Sequence, residues 1–489
     1  MTKKILLASI FTGAFFAFGQ NEVDAYRLSN TYVQGSARFD AMGGSFGALG
    51  AESGCIGINP AGFGRNSVSA FTFGLSGTQA KTNAHFNGNS SSMDAFNVRV
   101  PNLSGTIVSD VSSSNSGLIY TQLSFGINRV ANFNNSFNYS GQQFESLLDV
   151  FAATANGINP SQLYATYPYT SSLAYQTYTI DPDGNNNYYP RLNSGDMIHN
   201  QTIFDKGGIN EYYLAFSANY LDKIYFGASI SYNTLNFSES QVHKETLTDT
   251  TGVSLRSFVY QRDYSTKGGG ATVKLGAIFL PVDYLRLGIA IHTPTFYQLT
   301  DQYTANMEAL HNYGMETVDP SLVPSDRYKY RIWTPTKFVG SLGFVFQDKG
   351  CVNVDLEYVN YSWARLKTTT DGAYASYDYA AENGVIKAQM VDALNIRIGG
   401  EWAINNTVFI RGGYGYYPKG DTLARSYGKN YNQTISGGLG YRINRIYIDM
   451  SIRYLMQSSV YKAFYESRTE LNTVNTTFNV GIQYKFDYK

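Results

Sequence analysis

Residues 35–64 read GSARFDAMGGSFGALGAESGCIGINPAGFG. Glycine occurs nine times in these thirty positions, and neither a helical nor a strand period persists through them. Glycine at that density marks backbone that turns tightly or comes close to other backbone. Pro60 fixes its own φ and pushes Asn59 toward an extended conformation, which makes a rigid corner. After Gly64 the pattern changes to alternating apolar and polar residues that run to the C-terminus. A glycine-rich segment ahead of a long alternating array predicts a barrel with something folded into its mouth. The plain alternative is a glycine-rich linker; a phosphate-binding loop is disfavoured because no Lys-Ser or Lys-Thr follows the glycines.

Working outward, the chain has 489 residues, which for soluble proteins suggests about three domains, a prior that barrels do not obey. Charged residues make up only 15% of it, against 41 Tyr and 30 Phe. Mean hydropathy is ordinary (−0.24), and beyond the N-terminus no apolar run approaches the ~20 residues of a membrane helix. Those features fit a transmembrane barrel, in which alternate residues face lipid and aromatic residues form interfacial girdles. Lys and Arg together equal Asp and Glu together, 37 each, so nothing in the charge favours nucleic acid. At the start, Lys3 and Lys4 precede an apolar run from Ile5 to Phe18, and Ala17-Phe18-Gly19 offers a small-x-small cleavage site. Residues 1–19 are therefore expected to be a secretory signal peptide, with no nearby cysteine for lipidation.

Residues 20–67 are expected to form the plug and 68–489 the barrel. Fourteen extended segments are read near 68–86, 91–110, 117–132, 210–221, 223–244, 252–281, 283–300, 330–347, 350–368, 388–404, 407–418, 428–443, 446–460 and 472–488. An even count suits a bacterial single-chain barrel, and from the third segment onward short turns alternate with longer loops. The longest connections are 133–210, which carries a helical pattern at Phe144, Leu147, Leu148 and Phe151, and 301–330. Gly268-Gly269-Gly270 inside the sixth segment is expected to be a kink or bulge.

Asn59-Pro60-Ala61, together with the preceding Arg38-Phe39-Asp40-Ala41-Met42-Gly43-Gly44, resembles the hatch of FadL/TodX-type outer-membrane transporters. The strand patterns from Leu285 to Pro294 and from Val354 to Ser362 also resemble that family's, so the likeness touches most of the mature chain. It implies an all-β, fourteen-stranded antiparallel barrel in the outer membrane, an N-terminal hatch, and passage of fatty acids or aromatic compounds with lateral exit at a kinked strand. Gly126 and Pro101 are the candidate kink positions. The resemblance further implies a hydrophobic small-molecule ligand, outer-membrane lipids and the barrel assembly machinery as partners, and a monomer. The last aromatic-rich segment, through Tyr484, Phe486 and Tyr488, is the kind that machinery reads.

If the alternating apolar positions face lipid, the intervening ones face the lumen. That places Lys274, Arg286, Asp355, Glu357, Arg397, Glu401, Arg411, Asp449 and Arg453 inside. One account makes them paired structural charges that hold the hatch; the other gives Arg397 or Arg411 an anionic ligand headgroup. Cys55 and Cys351 are far apart, and both a disulfide and two free thiols remain open. Of the five histidines, His292 falls among apolar strand residues, whereas His85, His199, His243 and His311 fall near loops or strand ends and read as solvated. No catalytic elbow or metal-binding helix motif appears, so neither an enzyme nor a cofactor or metal is expected. The competing function is a surface binding protein, a haem receptor or an adhesin on the same barrel; a hydrophilic porin is argued against by the plug.

Overall fold

The computed structural model describes residues 22–114, 116–192, 197–325, 327–347, 349–369, 377–425, 429–464 and 467–486. The expected signal peptide and Tyr488 lie outside them.

The alternation after Gly64 becomes a closed antiparallel barrel of fourteen strands. In chain order they are β1 (Ala70–Phe86), β2 (Asn89–Arg99 and Asn102–Asp110), β3 (Leu118–Asn132 and Asn135–Gln143), β4 (Met197–Tyr220), β5 (Ile224–Leu247) and β6 (Leu255–Val282). Then come β7 (Leu285–His292 and Phe296–His311), β8 (Arg327–Trp333 and Lys337–Phe346), β9 (Gly350–Asn360 and Arg365–Lys367) and β10 (Asp392–Ala403). The last four are β11 (Val408–Pro418), β12 (Tyr431–Ile443), β13 (Ile446–Lys462) and β14 (Arg468–Lys485). The ring closes where β1 pairs with β14, from Ala70 opposite Lys485 to His85 opposite Glu470. Closure pairs the first strand with the last, so neither is left as an edge of the sheet.

The outward face is apolar and exposed on strand after strand, for example Phe73 and Leu75 on β1, Leu214 and Phe216 on β4, and Ile289 on β7. The inward residues are buried against the N-terminal segment. Among the described residues no helix is long and apolar enough to cross a membrane; crossing is left to the strands.

Two expectations are corrected. The connection read as 133–210 is shorter, because β3 continues to Gln143 and β4 begins at Met197, with helix α3 (Leu147–Ala155) and a small hairpin (Ile180–Pro182, Tyr188–Pro190) between them. Similarly β7 runs to His311 and β8 starts at Arg327. Above the lipid band the outward face meets water, so those stretches need no apolar alternation and do not read as strand. The triple glycine 268–270 is neither bulge nor turn: it stays in register with Leu235, Thr234 and Asn233 of β5 and with Leu299, Gln298 and Tyr297 of β7. A side chain at Gly268 would lie 2.1 Å from the Gln298 carbonyl oxygen, so the run admits close neighbouring backbone without breaking the ladder. The interruption sits one strand away, where Thr293-Pro294-Thr295 splits β7 and Thr334-Pro335-Thr336 splits β8 at the same height. The two meet through the Thr295 N–H, which donates to Thr334 Oγ1 at 2.8 Å.

Helix α1 (Glu22–Ser29), the single turn α2 (Ala37–Ala41) and two 3₁₀ turns (Ser53–Gly57, Pro60–Arg65) lie inside the ring. Wall glycines make room for them. A Cβ at Gly276 would come 1.9 Å from Asn59 Oδ1, one at Gly227 2.3 Å from the Ala61 nitrogen, and one at Gly413 2.2 Å from the Gly43 nitrogen. Gly288 and Gly399 stand equally close to the carbonyls of Gly47 and Met42. Gly340 faces outward with nothing within 4 Å of such a Cβ. Gly276→Ala is therefore expected to unseat the segment, costing about 1–3 kcal/mol of overpacking and exposing residues 35–64 to protease, while Gly340→Ala leaves both unchanged. Thermal unfolding and limited proteolysis in detergent check this pair.

Candidate functional site

The N-terminal segment has little regular structure, so its backbone groups need partners elsewhere. Ser36 caps α2 by accepting from the Phe39 N–H at 3.2 Å, and Glu52 caps the next turn. Gly43 and Gly44 have φ of +63° and +71°, the left-handed region that glycine enters without strain. Asn59 Oδ1 accepts from the Ala61 N–H at 3.0 Å and caps the turn that Pro60 opens. Its Nδ2 donates to Gly47 O at 2.8 Å and to Ala277 O of β6 at 3.2 Å. The triplet thus ties the segment both to itself and to the wall.

The sequence-predicted lumen charges meet this backbone. Lys274 Nζ donates to Ile56 O at 2.9 Å and pairs with Glu211; Arg286 reaches Leu49 O at 3.1 Å, and Arg453 reaches Val33 O at 3.0 Å. Asp355 accepts from the Phe46 and Gly47 N–H groups at 3.0 and 3.1 Å. Glu357 pairs with Arg397 at 3.1 Å and accepts from Asn395 at 3.0 Å. Arg411 bridges Glu401 and Asp449, and Arg38 of the segment grips Glu401 with two bonds of 2.9 Å. His292 Nε2 lies 2.8 Å from Ile58 O. Arg397 is fully buried, and its Nε and Nη2 have no hydrogen-bond partner. Cys55 and Cys351 are both free; burial pushes the Cys55 thiol up and keeps it protonated.

Between the segment and the wall lies a cavity of about 90 Å³. Leu28, Tyr32 and Gln34 border it on the segment side, while Asn128 and Val130 of β3 border it on the wall side. It also reaches Thr293, Thr295 and Thr334 at the paired interruptions of β7 and β8.

Beside Asn128 and Val130 the wall itself changes. β2 and β3 pair from Asp110 opposite Tyr120 to Asn102 opposite Asn128, and the Arg129 N–H still donates to Pro101 O at 2.8 Å. Above that point no ladder joins Asn89–Arg99 to Asn135–Gln143 among the described residues. Side chains bridge the seam instead: Asn97 to Asn132 at 3.5 Å, Ser136 Oγ to Asp94 O at 3.3 Å, and Ser91 Oγ to Asn138 O. The break on β2 falls at Pro101, which packs on Gly74 of β1. Gly126 is no kink: it stays paired with Ser104 on one side and Tyr213 on the other, because a Cβ there would meet Leu103 O at 2.4 Å. At the seam's foot Gln34 holds both lips, accepting from Arg99 at 3.0 Å through Oε1 and from Asn128 at 3.1 Å through its carbonyl. Phe96 and Val98, 71% and 60% exposed, flank it outside.

Sequence reading missed Gln34, Arg99 and Asn128, which look like ordinary polar strand or loop residues. It also misplaced three histidines: His199, His243 and His311 are buried rather than solvated, since the strands carrying them extend past their expected ends.

No protein-family model matches the chain, and no curated protein does. Solved structures do. A FadL homologue of Pseudomonas aeruginosa superposes with a TM-score of 0.54 at 12% identity, covering 94% of this chain and 100% of the other. The toluene transporter TodX of P. putida gives 0.50 at 14%, with 94% and 100% covered, and the toluene transporter TbuX of Ralstonia pickettii gives 0.50 at 16%, with 93% and 99%. At such identities the likeness establishes the fold.

Replacing Asp355 by Ala removes the acceptor for two buried N–H groups and should destabilise the barrel by about 2 kcal/mol or more, read as a lowered midpoint of urea unfolding in detergent.

Proposed function

Starting from a chain with the fold of the FadL/TodX-type transporters, we propose that it is an outer-membrane channel passing hydrophobic small molecules, long-chain fatty acids or aromatic hydrocarbons, by diffusion. Residues 20–67 act as its hatch, with Asn59, Pro60, Ala61, Gly43 and Gly44 as the motif that seats it. The observation that carries the proposal is the meeting of cavity and seam: the space beside the segment ends at Asn128 and Val130, where the β2–β3 ladder lapses against apolar Phe96 and Val98. An apolar solute gains nothing by descending into an aqueous periplasm, whereas an opening beside lipid lets it stay out of water throughout. Capture falls to α3 and its neighbours in residues 144–192 and to the short strand Gly314–Thr317, which folds back on the end of β7.

In this reading Lys274, Arg286, Arg453 and Asp355 hold the hatch, since each bonds its backbone. Arg397, paired with Glu357 but with two donors unpartnered among the described residues, is the proposed contact for a ligand carboxylate, and Arg411 is committed to Glu401 and Asp449. Pro101 sets the opening, and the barrel acts as a monomer. Two of the solved structures of this fold named above, TodX and TbuX, are toluene transporters, which supports a channel rather than an enzyme.

Uptake of a labelled long-chain fatty acid and of labelled toluene, by cells lacking their own transporters, tests the proposal. Asn59→Ala with Pro60→Gly should cut uptake several-fold at equal surface abundance, while a small hydrophilic solute is unaffected. For the exit, Asn97→Cys and Asn132→Cys, in a chain with Cys55 and Cys351 changed to Ser, are bridged by a reducible cross-linker. Bridging should stop hydrophobic uptake and reduction should restore it; full uptake by the bridged protein would rule out the seam.

A further inference from the structure

The extracellular extensions of β4 and β5 place His199 opposite Glu245 and Gln201 opposite His243. All four side chains point inward and are buried, beyond the apolar band that on these strands spans Tyr212–Phe216 and Phe226–Tyr232. His243 Nε2 lies 2.8 Å from Glu245 Oε1, and His199 Nε2 lies 3.8 Å from the same oxygen. The His199 nitrogen has no hydrogen-bond partner although its residue is only 1% exposed. A buried, unpartnered ring nitrogen aimed at a carboxylate it does not reach is a costly arrangement on its own terms. It is explained if something belongs between them.

We propose that His199, His243 and Glu245 form a divalent-cation site of the zinc class. A tetrahedral ion with bonds of ~2.0–2.1 Å sets neighbouring ligand atoms about 3.3 Å apart, and the observed 2.8 and 3.8 Å bracket that spacing. The three donor atoms all lie within 4.8 Å of one another, so side-chain shifts of up to about 1.5 Å close the triangle to the ~3.3 Å spacing of a tetrahedral site. Two imidazoles and one carboxylate suit zinc or its neighbours rather than calcium or magnesium. The outer partners fit as well. Gln201 Oε1, 2.7 Å from His243 Nδ1, accepts from that nitrogen and leaves Nε2 free to ligate. Phe464 and Phe258 wall the site, their ring centroids 5.8 and 6.2 Å from the His243 ring.

The site would act on the insertion. Glu245 also accepts from Ser146 Oγ at 2.5 Å and from the Leu147 N–H at 2.8 Å, the first groups of α3. A cation fixing Glu245 therefore fixes the N-terminus of α3 to the barrel rim and orders the segment that follows. This inference does not depend on what the channel carries.

The test uses the full chain folded in detergent, stripped with a chelator and titrated calorimetrically with Zn²⁺, with Co²⁺ absorption reporting geometry. One ion per barrel and a tetrahedral Co²⁺ spectrum are expected, with affinity falling at least about 100-fold in His199→Asn and unchanged in His85→Asn, whose parent residue is exposed. His199 gives up no Nε2 hydrogen bond, so its variant should fold; gel mobility of unheated samples confirms the barrel. Zinc should also slow proteolysis within residues 156–192 of the wild type. No binding by the folded wild type, or binding that His199→Asn leaves intact, overturns the proposal.

Discussion

An irregular peptide segment enclosed by a barrel carries a fixed set of N–H and C=O groups, each of which needs a partner. The rest of this structure follows from that need. Lys274, Arg286, Arg453 and His292 project from three strands to four carbonyls, and Asp355 answers two amides. Such contacts require backbone to lie almost against the wall, and the wall supplies glycine where it does, at Gly227, Gly276, Gly288, Gly399 and Gly413. Charges and glycines on the inner surface are two halves of one solution. Breaking one partner of a buried charged contact leaves the other uncompensated, so the seat is held cooperatively.

Against that densely bonded wall the β2–β3 boundary stands out. Its main-chain groups stop pairing above Pro101, and short polar side chains take over. Side-chain bridges are individually weaker and slacker than a ladder, and part more readily. Gln34 links the segment to both lips, which couples the position of the plug to the state of the seam.

The strand count could be read from the sequence because the lipid band forces apolar residues outward at alternate positions, as at Leu285, Leu287, Ile289 and Ile291. The same logic failed above the band: the upper part of β4, with Asn200, Thr202 and Gly207, shows no such alternation and was read as loop. The lumen charges were legible as inward-facing, but their roles were not, since pairing Arg38 with Glu401 joins residues remote in sequence. The wall glycines were invisible as a set, because a lone strand glycine such as Gly276 looks the same whether it faces a plug or lipid. His199 and His243 become neighbours only once the register is known. A strand break at Pro101 could be read from the donor it lacks, whereas Gly126 stays paired on both sides.

The closing ladder has a consequence for timing. The strand that follows the plug, β1, finds its second partner only in β14, far along the chain. Before that the plug already has seats on strands earlier in the chain, as Asn59 does on β6 and Arg38 on β10. Seating of the plug can therefore precede sealing of the ring, and a barrel lacking Arg468–Lys485 would keep those seats while its ring stayed open.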